Sequence, residues 1–193
     1  MEAAEENDLS AEDFIALIPQ LKDQSKATLE ILDKLLIWGK SQLKGTKYNR
    51  SVFNAKEMIL KNVELYKNPA LQKMIKVTDE TPNEISIFGD STQVDFIIRN
   101  LLANAIKYTQ RGGEIRFSAS LNQPAGFNAI HVQDNGVGIA KGAQQLIFER
   151  NNQSQEGTAQ EKGNSIGLML CKEFSEANGG KIELESELGR GTR

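Results

Sequence analysis

Four stretches of the sequence hold residues whose types and spacing could do chemistry. Asn100, Asn104 and Lys107 recur at i, i+4 and i+7, which on a helix puts two amides and an ammonium on one face. Asn is a poor helix former, so this is either an ordinary solvated face or one kept for a ligand. Neutral carbonyl oxygens beside a lysine suit Mg²⁺, which takes hard oxygen ligands and draws most of them from phosphate and water. The second stretch is Asp134-Asn135-Gly136-Val137-Gly138-Ile139. Its residues are those of a hairpin turn. They also fit a base-reading pocket, because a fixed carboxylate can accept from an exocyclic amine such as that of adenine, while glycines admit a ligand close to the backbone. Gly163-Asn164-Ser165-Ile166-Gly167-Leu168 opens a helical pattern, and the free N–H groups of a helix start favour phosphate oxygens. Between the second and third stretches, Glu149 to Lys162 is rich in Gln, Asn, Glu, Ser and Gly without periodicity; such connections are lids or plain disorder.

Periodicity supplies the elements that must hold these stretches. A strong helix is expected from Ser91 to Thr109, closed by Gly112-Gly113, and another from about Ser165 to Ala177, ended by Gly179-Gly180. Strands are expected at Lys76–Thr78, Glu84–Phe88, Glu114–Leu121, Asn128–Gln133 and Lys181–Glu187. Asn54 with Glu57 reads as a capping box opening a helix through Tyr66. With no regular βαβ alternation, the economical arrangement is an α/β two-layer sandwich. Ahead of it, Phe14, Leu17, Ile18, Leu21, Leu29, Leu32, Leu36 and Leu43 give one long amphipathic helix from Ser10 to about Lys44. Ser10 with Asp13 could cap it, and Pro19 should kink it or mark its true start. From Pro19 onward such a helix spans roughly 37 Å, so part of its stripe calls for a partner helix or a homodimer.

Composition excludes several classes. In 193 residues there are 23 Lys+Arg against 26 Asp+Glu, a net charge of −3; no broad basic surface is available for nucleic acid. One cysteine, Cys171, and one histidine, His131, exclude an internal disulfide and the usual zinc sets. No apolar run nears the ~20 residues of a membrane span, and the acidic start from Met1 to Asn7 lacks signal-peptide chemistry. A reducing, cytoplasmic setting is the expectation.

Taken in order, the stretch Asn100–Thr109, Asp134–Ile139, Phe148, Gly163–Leu168 and Gly189-Arg190-Gly191-Thr192 closely resemble the N, G1, F, G2 and G3 boxes of the GHKL ATPase superfamily, specifically of two-component sensor histidine kinases. The resemblance implies a Bergerat fold with a mixed sheet over residues 46–193, as the catalytic ATP-binding domain. Residues 1–45 are similar to the second helix of the dimerisation and phosphoacceptor domain, including Leu32 to Trp38. The implied cofactors are ATP and Mg²⁺. By position, Asn104 would coordinate Mg²⁺, while Asn100 and Lys107 would contact Mg²⁺ or phosphates. Tyr108 would line the nucleotide site and Asp134 would read the adenine amine. Gly136 and Gly138 would make room for the base; Gly163, Gly167 and Leu168 would frame the lid and phosphates, and Thr192 would close the pocket.

The resemblance implies transfer of the ATP γ-phosphoryl group to a histidine outside this chain, on a dimerisation helix of a parent kinase that is itself free to be membrane-anchored, with a response regulator downstream. In such transfer a protein mainly positions and offsets charge. The alternatives are a non-catalytic ATP-binding or dimerising scaffold and another GHKL enzyme, such as an anti-sigma-factor kinase or gyrase-like ATPase. Three departures stand out: Ser165 replaces the middle glycine of G2, the sequence stops at Arg193 where the family continues into a strand, and no acceptor helix precedes the first one. His131 lies in an alternating strand pattern three residues before Asp134, and reads as a strand histidine rather than an acceptor. Cys171 reads as packing.

Overall fold

The computed structural model describes residues 11–42, 49–122, 126–149, 157–158 and 166–193. The chain divides into two compact units, Met1–Thr46 and Lys47–Arg193. In the first, helix α1 spans Ala11–Gln42 and runs through Pro19, so the proline does not mark the helix start; the cost is the one backbone bond that proline cannot donate. Phe14, Ile18, Leu21, Leu29, Leu32 and Leu36 are exposed, while Leu17 and Trp38 are half-buried. The proposed Ser10 cap and Leu43 lie outside the described residues.

The second unit begins with a strand that periodicity does not reveal. Strand β1 (Arg50–Asn54) pairs antiparallel with β3 (Ser86–Asp90). Phe53 and Ile87 face each other and pack on the core; Val52 and Phe88, the neighbouring pair, are 69% and 63% exposed. Asn54 then caps α2 (Ala55–Leu65), its side chain accepting from the Lys56 N–H at 2.9 Å. Helix α3 (Lys67–Gln72) follows. A separate five-stranded sheet has the order β2-β4-β5-β7-β6, with β2 at Lys76–Asp79, β4 at Glu114–Ser120, β5 at Ala129–Asp134, β6 at Ser186–Glu187 and β7 at Gly191–Thr192. Only β2 and β4 run parallel; the other pairs are antiparallel, so the sheet is mixed.

Helices cover this sheet to give the two-layer α/β arrangement. Ile59 of α2 and Val94, Ile98, Leu102 and Ile106 of α4 (Ser91–Tyr108) form one core with Ile115 and Phe117 of β4. Those α4 residues recur at four-residue intervals, and their burial is the main reason a helix containing two asparagines is stable. Asp90 caps it, accepting from Thr92 and Gln93 N–H at 3.0 and 3.3 Å. Helix α6 (Ile166–Ala177) lies against α4, with Phe174 edge-on to Phe96 at 5.2 Å. Cys171 is fully buried in α6, as a packing residue.

Two expectations need correction. Of the strand expected at Lys181–Glu187, only Ser186–Glu187 is in the sheet; among the described residues no strand runs beside Lys181–Leu184, although Glu185 and Arg193 exchange backbone bonds of 2.8 and 2.7 Å. The region after Asp134 holds a short helix, α5 (Lys141–Gln144), where the spacing predicts no element.

Candidate nucleotide site

The α4 face brings Asn100, Asn104 and Lys107 together as the spacing requires. Asn100 is 7% exposed, and its Nδ2 donates to the Phe96 carbonyl at 2.8 Å. Its Oδ1 is therefore the end of the amide with ligating capacity. Asn104 is half-buried. The Lys107 ammonium sits 3.0 Å from the Tyr108 hydroxyl and 4.6 Å from the centre of its ring, a cation–π arrangement that gives the charge a fixed position.

Helix α6 reaches this face because it runs antiparallel to α4. Asn178 donates to Gln93 Oε1 at 2.7 Å and accepts from Asp90 N–H at 2.7 Å, while Phe174 meets Phe96. From that contact α6 leads back to its own start, where Gly167 is buried and Leu168 half-buried. Gly163 and Ser165 lie outside the described residues, as does most of the Glu149–Lys162 connection. Phe148 is half-buried just before it.

Asp134 ends β5, where it is registered between Ile115 of β4 and Thr192 of β7. Its carboxylate accepts from Gly136 N–H at 2.8 Å and from the Thr192 backbone. Burial nevertheless pushes its pKa above the ordinary carboxylate value, outweighing those two N–H groups. Among the described residues no cation pairs with it. A carboxyl so placed has acceptor capacity to offer and little else nearby to satisfy it.

The glycines of this loop answer to protein backbone. A Cβ on Gly136 would lie 2.3 Å from the Tyr108 carbonyl oxygen. Gly138 has φ +67, and a Cβ there would lie 2.0 Å from the Glu187 carbonyl oxygen. Thus the side on which each glycine lacks a Cβ faces the end of α4 and β6. The close approach fastens the loop to both: Val137 N–H donates to the Tyr108 carbonyl at 3.1 Å, and Gly189 N–H to the Val137 carbonyl at 2.8 Å.

Sequence reasoning missed three positions. Ser186 Oγ accepts from Ile139 N–H at 2.8 Å, lies 2.9 Å from the Gly191 carbonyl oxygen and 2.9 Å from the Thr192 hydroxyl, joining the Asp134 loop to the strand that carries Thr192. Lys73 and Thr158 bind the end of α4. No local pattern marks any of them. His131 is a strand residue facing Ser118 across β4, with Nε2 2.9 Å from the Ser120 hydroxyl. Burial first, then Arg193, lowers its pKa, against a smaller opposing effect of Glu185.

The pattern of the family described as "Histidine kinase-, DNA gyrase B-, and HSP90-like ATPase" matches residues 89–193, more than half of the chain, and the chain belongs to that family. Relatives within it are named sensor histidine kinases, and the matched residues lie in the second compact unit. Sensor histidine kinase TmoS of Ectopseudomonas mendocina is 41% identical over 123 residues, 63% of this chain and 12% of TmoS. Sensor protein SrrB of Staphylococcus aureus (strain NCTC 8325 / PS 47) is 28% identical over 171 residues, 88% of this chain and 29% of SrrB. The chain therefore spans less than a third of either relative. The fold is similar to that of full-length ShkA in complex with AMPPNP, at TM-score 0.76 and 24% identity over 96% of this chain and 38% of that one. It is also similar to ThkA in complex with the response regulator TrrA, at TM-score 0.67 and 19% identity over 98% of this chain and 51% of that one. No helix among the described residues is long and apolar enough to cross a membrane.

Proposed function

We propose that this chain binds ATP with Mg²⁺ and presents the γ-phosphoryl group to a histidine on a helix outside it, in cytoplasmic two-component signalling. The observation that carries the reading is Asp134: a half-buried carboxyl at a strand end, with no cation beside it among the described residues, whose acceptor capacity suits the adenine amine. Asn100 and Asn104 would hold Mg²⁺ by their amide oxygens, with phosphate and water completing the set. Lys107 and the start of α6 would face the phosphates. Tyr108 and Thr192 would border the nucleotide, while Gly136 and Gly138 fix the loop that aims Asp134. When bound, Mg²⁺ would neutralise charge on the phosphate oxygens. The chain's own residues supply position and charge; the nucleophile is the supplied histidine, whose nitrogen bonds to phosphorus as the bond to the ADP oxygen breaks. The exposed Leu29, Leu32 and Leu36 of α1 support pairing with an acceptor-bearing helix or a second copy, and a response regulator would take the phosphoryl group onward.

The test is transfer from γ-labelled ATP to a separate polypeptide bearing the family's acceptor helix. Acid-labile label should appear on that polypeptide with Mg²⁺ present, and Asn104→Ala should lower Mg²⁺-dependent ATP binding far more than metal-free binding. Equal losses with and without Mg²⁺ would remove Asn104 as a ligand. Label on His131 of the chain alone would overturn the role of an outside histidine.

A further inference from the structure

A helix leaves its last four carbonyls without partners of its own, and at the end of α4 three separate segments supply them. The Lys73 ammonium, from the turn after α3, donates to the carbonyls of Ile106 at 2.7 Å and Lys107 at 2.9 Å, and to the Thr158 hydroxyl at 2.6 Å. Thr158 N–H donates to the Lys107 carbonyl at 3.1 Å. Its hydroxyl lies 3.0 Å from that same oxygen and 2.8 Å from the Thr109 carbonyl. Tyr108 is taken by Val137 N–H. Lys73 is itself anchored, its carbonyl accepting from Gly112 N–H at 2.9 Å.

This arrangement exceeds what capping needs. A single lysine meets the negative end of the helix dipole, but here the same ammonium also grips a residue 85 positions away. Both grips converge on the peptide of Lys107, whose side chain lies on the Tyr108 ring. The base loop is held from another side, by Ser186 and by the Asp134 bonds. The base loop thus touches the end of α4 through Val137 but has further supports that the clamp does not touch.

We propose that Lys73 and Thr158 are positioning residues of the nucleotide site: together they clamp the last turn of α4 and so fix Lys107 and Tyr108 for a phosphate-bearing ligand. The proposal rests on the ATP-binding reading above. Holding the cation in place before the ligand arrives removes an ordering cost from binding. Loss of the clamp should therefore be felt more by phosphates than by the base.

Calorimetric titration of Lys73→Met, Thr158→Val and Lys73→Arg with ATP·Mg²⁺ and with adenosine tests this. Thr158→Val keeps the shape and removes only the hydroxyl. Each of the first two variants should weaken ATP·Mg²⁺ by about three- to tenfold, the effect of one lost hydrogen bond. Adenosine should stay within about twofold of the unmodified chain. Lys73→Arg, which keeps the charge, should recover most of the loss. Equal weakening of both ligands, or unchanged ATP·Mg²⁺ affinity with only a lowered melting temperature, would overturn the clamp. An unmodified chain that binds ATP·Mg²⁺ no better than adenosine would instead overturn the functional reading beneath it.

Discussion

Asp79 and Asp134 are both the last residue of a strand, both half-buried, and both registered against β4, opposite Phe117 and Ile115 respectively. Their surroundings differ in a cation and a hydroxyl. Asp79 meets the Lys56 ammonium at 2.8 Å, with the two side chains 11% and 16% exposed, and accepts from Thr81 N–H at 2.9 Å and from its hydroxyl. Burial pushes its proton affinity up, but Lys56 and Thr81 more than reverse that and hold the pKa below the ordinary value. Asp134 has only N–H partners, and burial prevails. A paired carboxylate has its charge matched inside the fold and stabilises it; an unmatched one is held in reserve for a partner from outside.

The hardest way to break this comparison is to make the two acids alike. Lys56→Met would leave Asp79 buried without its cation, and should cost about 3 kcal/mol of stability, the scale for removing one member of a buried pair. Denaturant unfolding measures it; a loss under about 1 kcal/mol would place Asp79 among ordinary surface carboxylates. The converse substitution acts on binding. Asp134→Asn keeps the turn but turns a donor toward the adenine amine, so affinity for ATP and adenosine alike should fall about tenfold. Unchanged affinity would leave Asp134 as a turn residue.

The smallest effect is in pH, and its sign separates the two acids. Asp79, with its lowered pKa, contributes stability that is present above the ordinary 3.8 and lost as pH falls through its folded value. Asp134, with its raised pKa, contributes stability present below 3.8 and lost as pH rises through its higher folded value. On acidification the unmodified chain should therefore gain on Asp134→Asn and lose on Asp79→Asn in melting temperature. The same direction for both variants would erase the distinction.

The sequence exposes what is local. The burial of α4 and α6 follows from their apolar spacing, and the Asp134 loop from its Asx and Gly content. Lys73 and Thr158 act over 34 and 51 positions, and a bond of that span leaves no periodic trace in either segment. Strand β1 is concealed for a related reason. Of its apolar pair, Val52 faces out and Phe53 in, so only pairing with β3 defines it. The converse error occurs at Lys181–Leu184, where alternation is present and no neighbouring strand is found among the described residues. The two glycines of the Asp134 loop were legible as positions of close approach, but what approaches them is known only once the backbone of Tyr108 and Glu187 is in place.

One neighbour of Asp134 has a bearing on time. Thr192, which shares the binding of that carboxyl, belongs to β7, and β7 and β6 are strands of two residues each at one side of the sheet. So short a ladder opens at a small fraction of the free energy needed to unfold the core around Phe117. It also joins positions 58 residues apart, Asp134 and Thr192, a closure that chain entropy delays until the rest of the sheet is formed. The full set of bonds around Asp134 is thus among the last features to appear when the chain folds and among the first to be interrupted afterwards, and its lifetime is set by an edge rather than by the core.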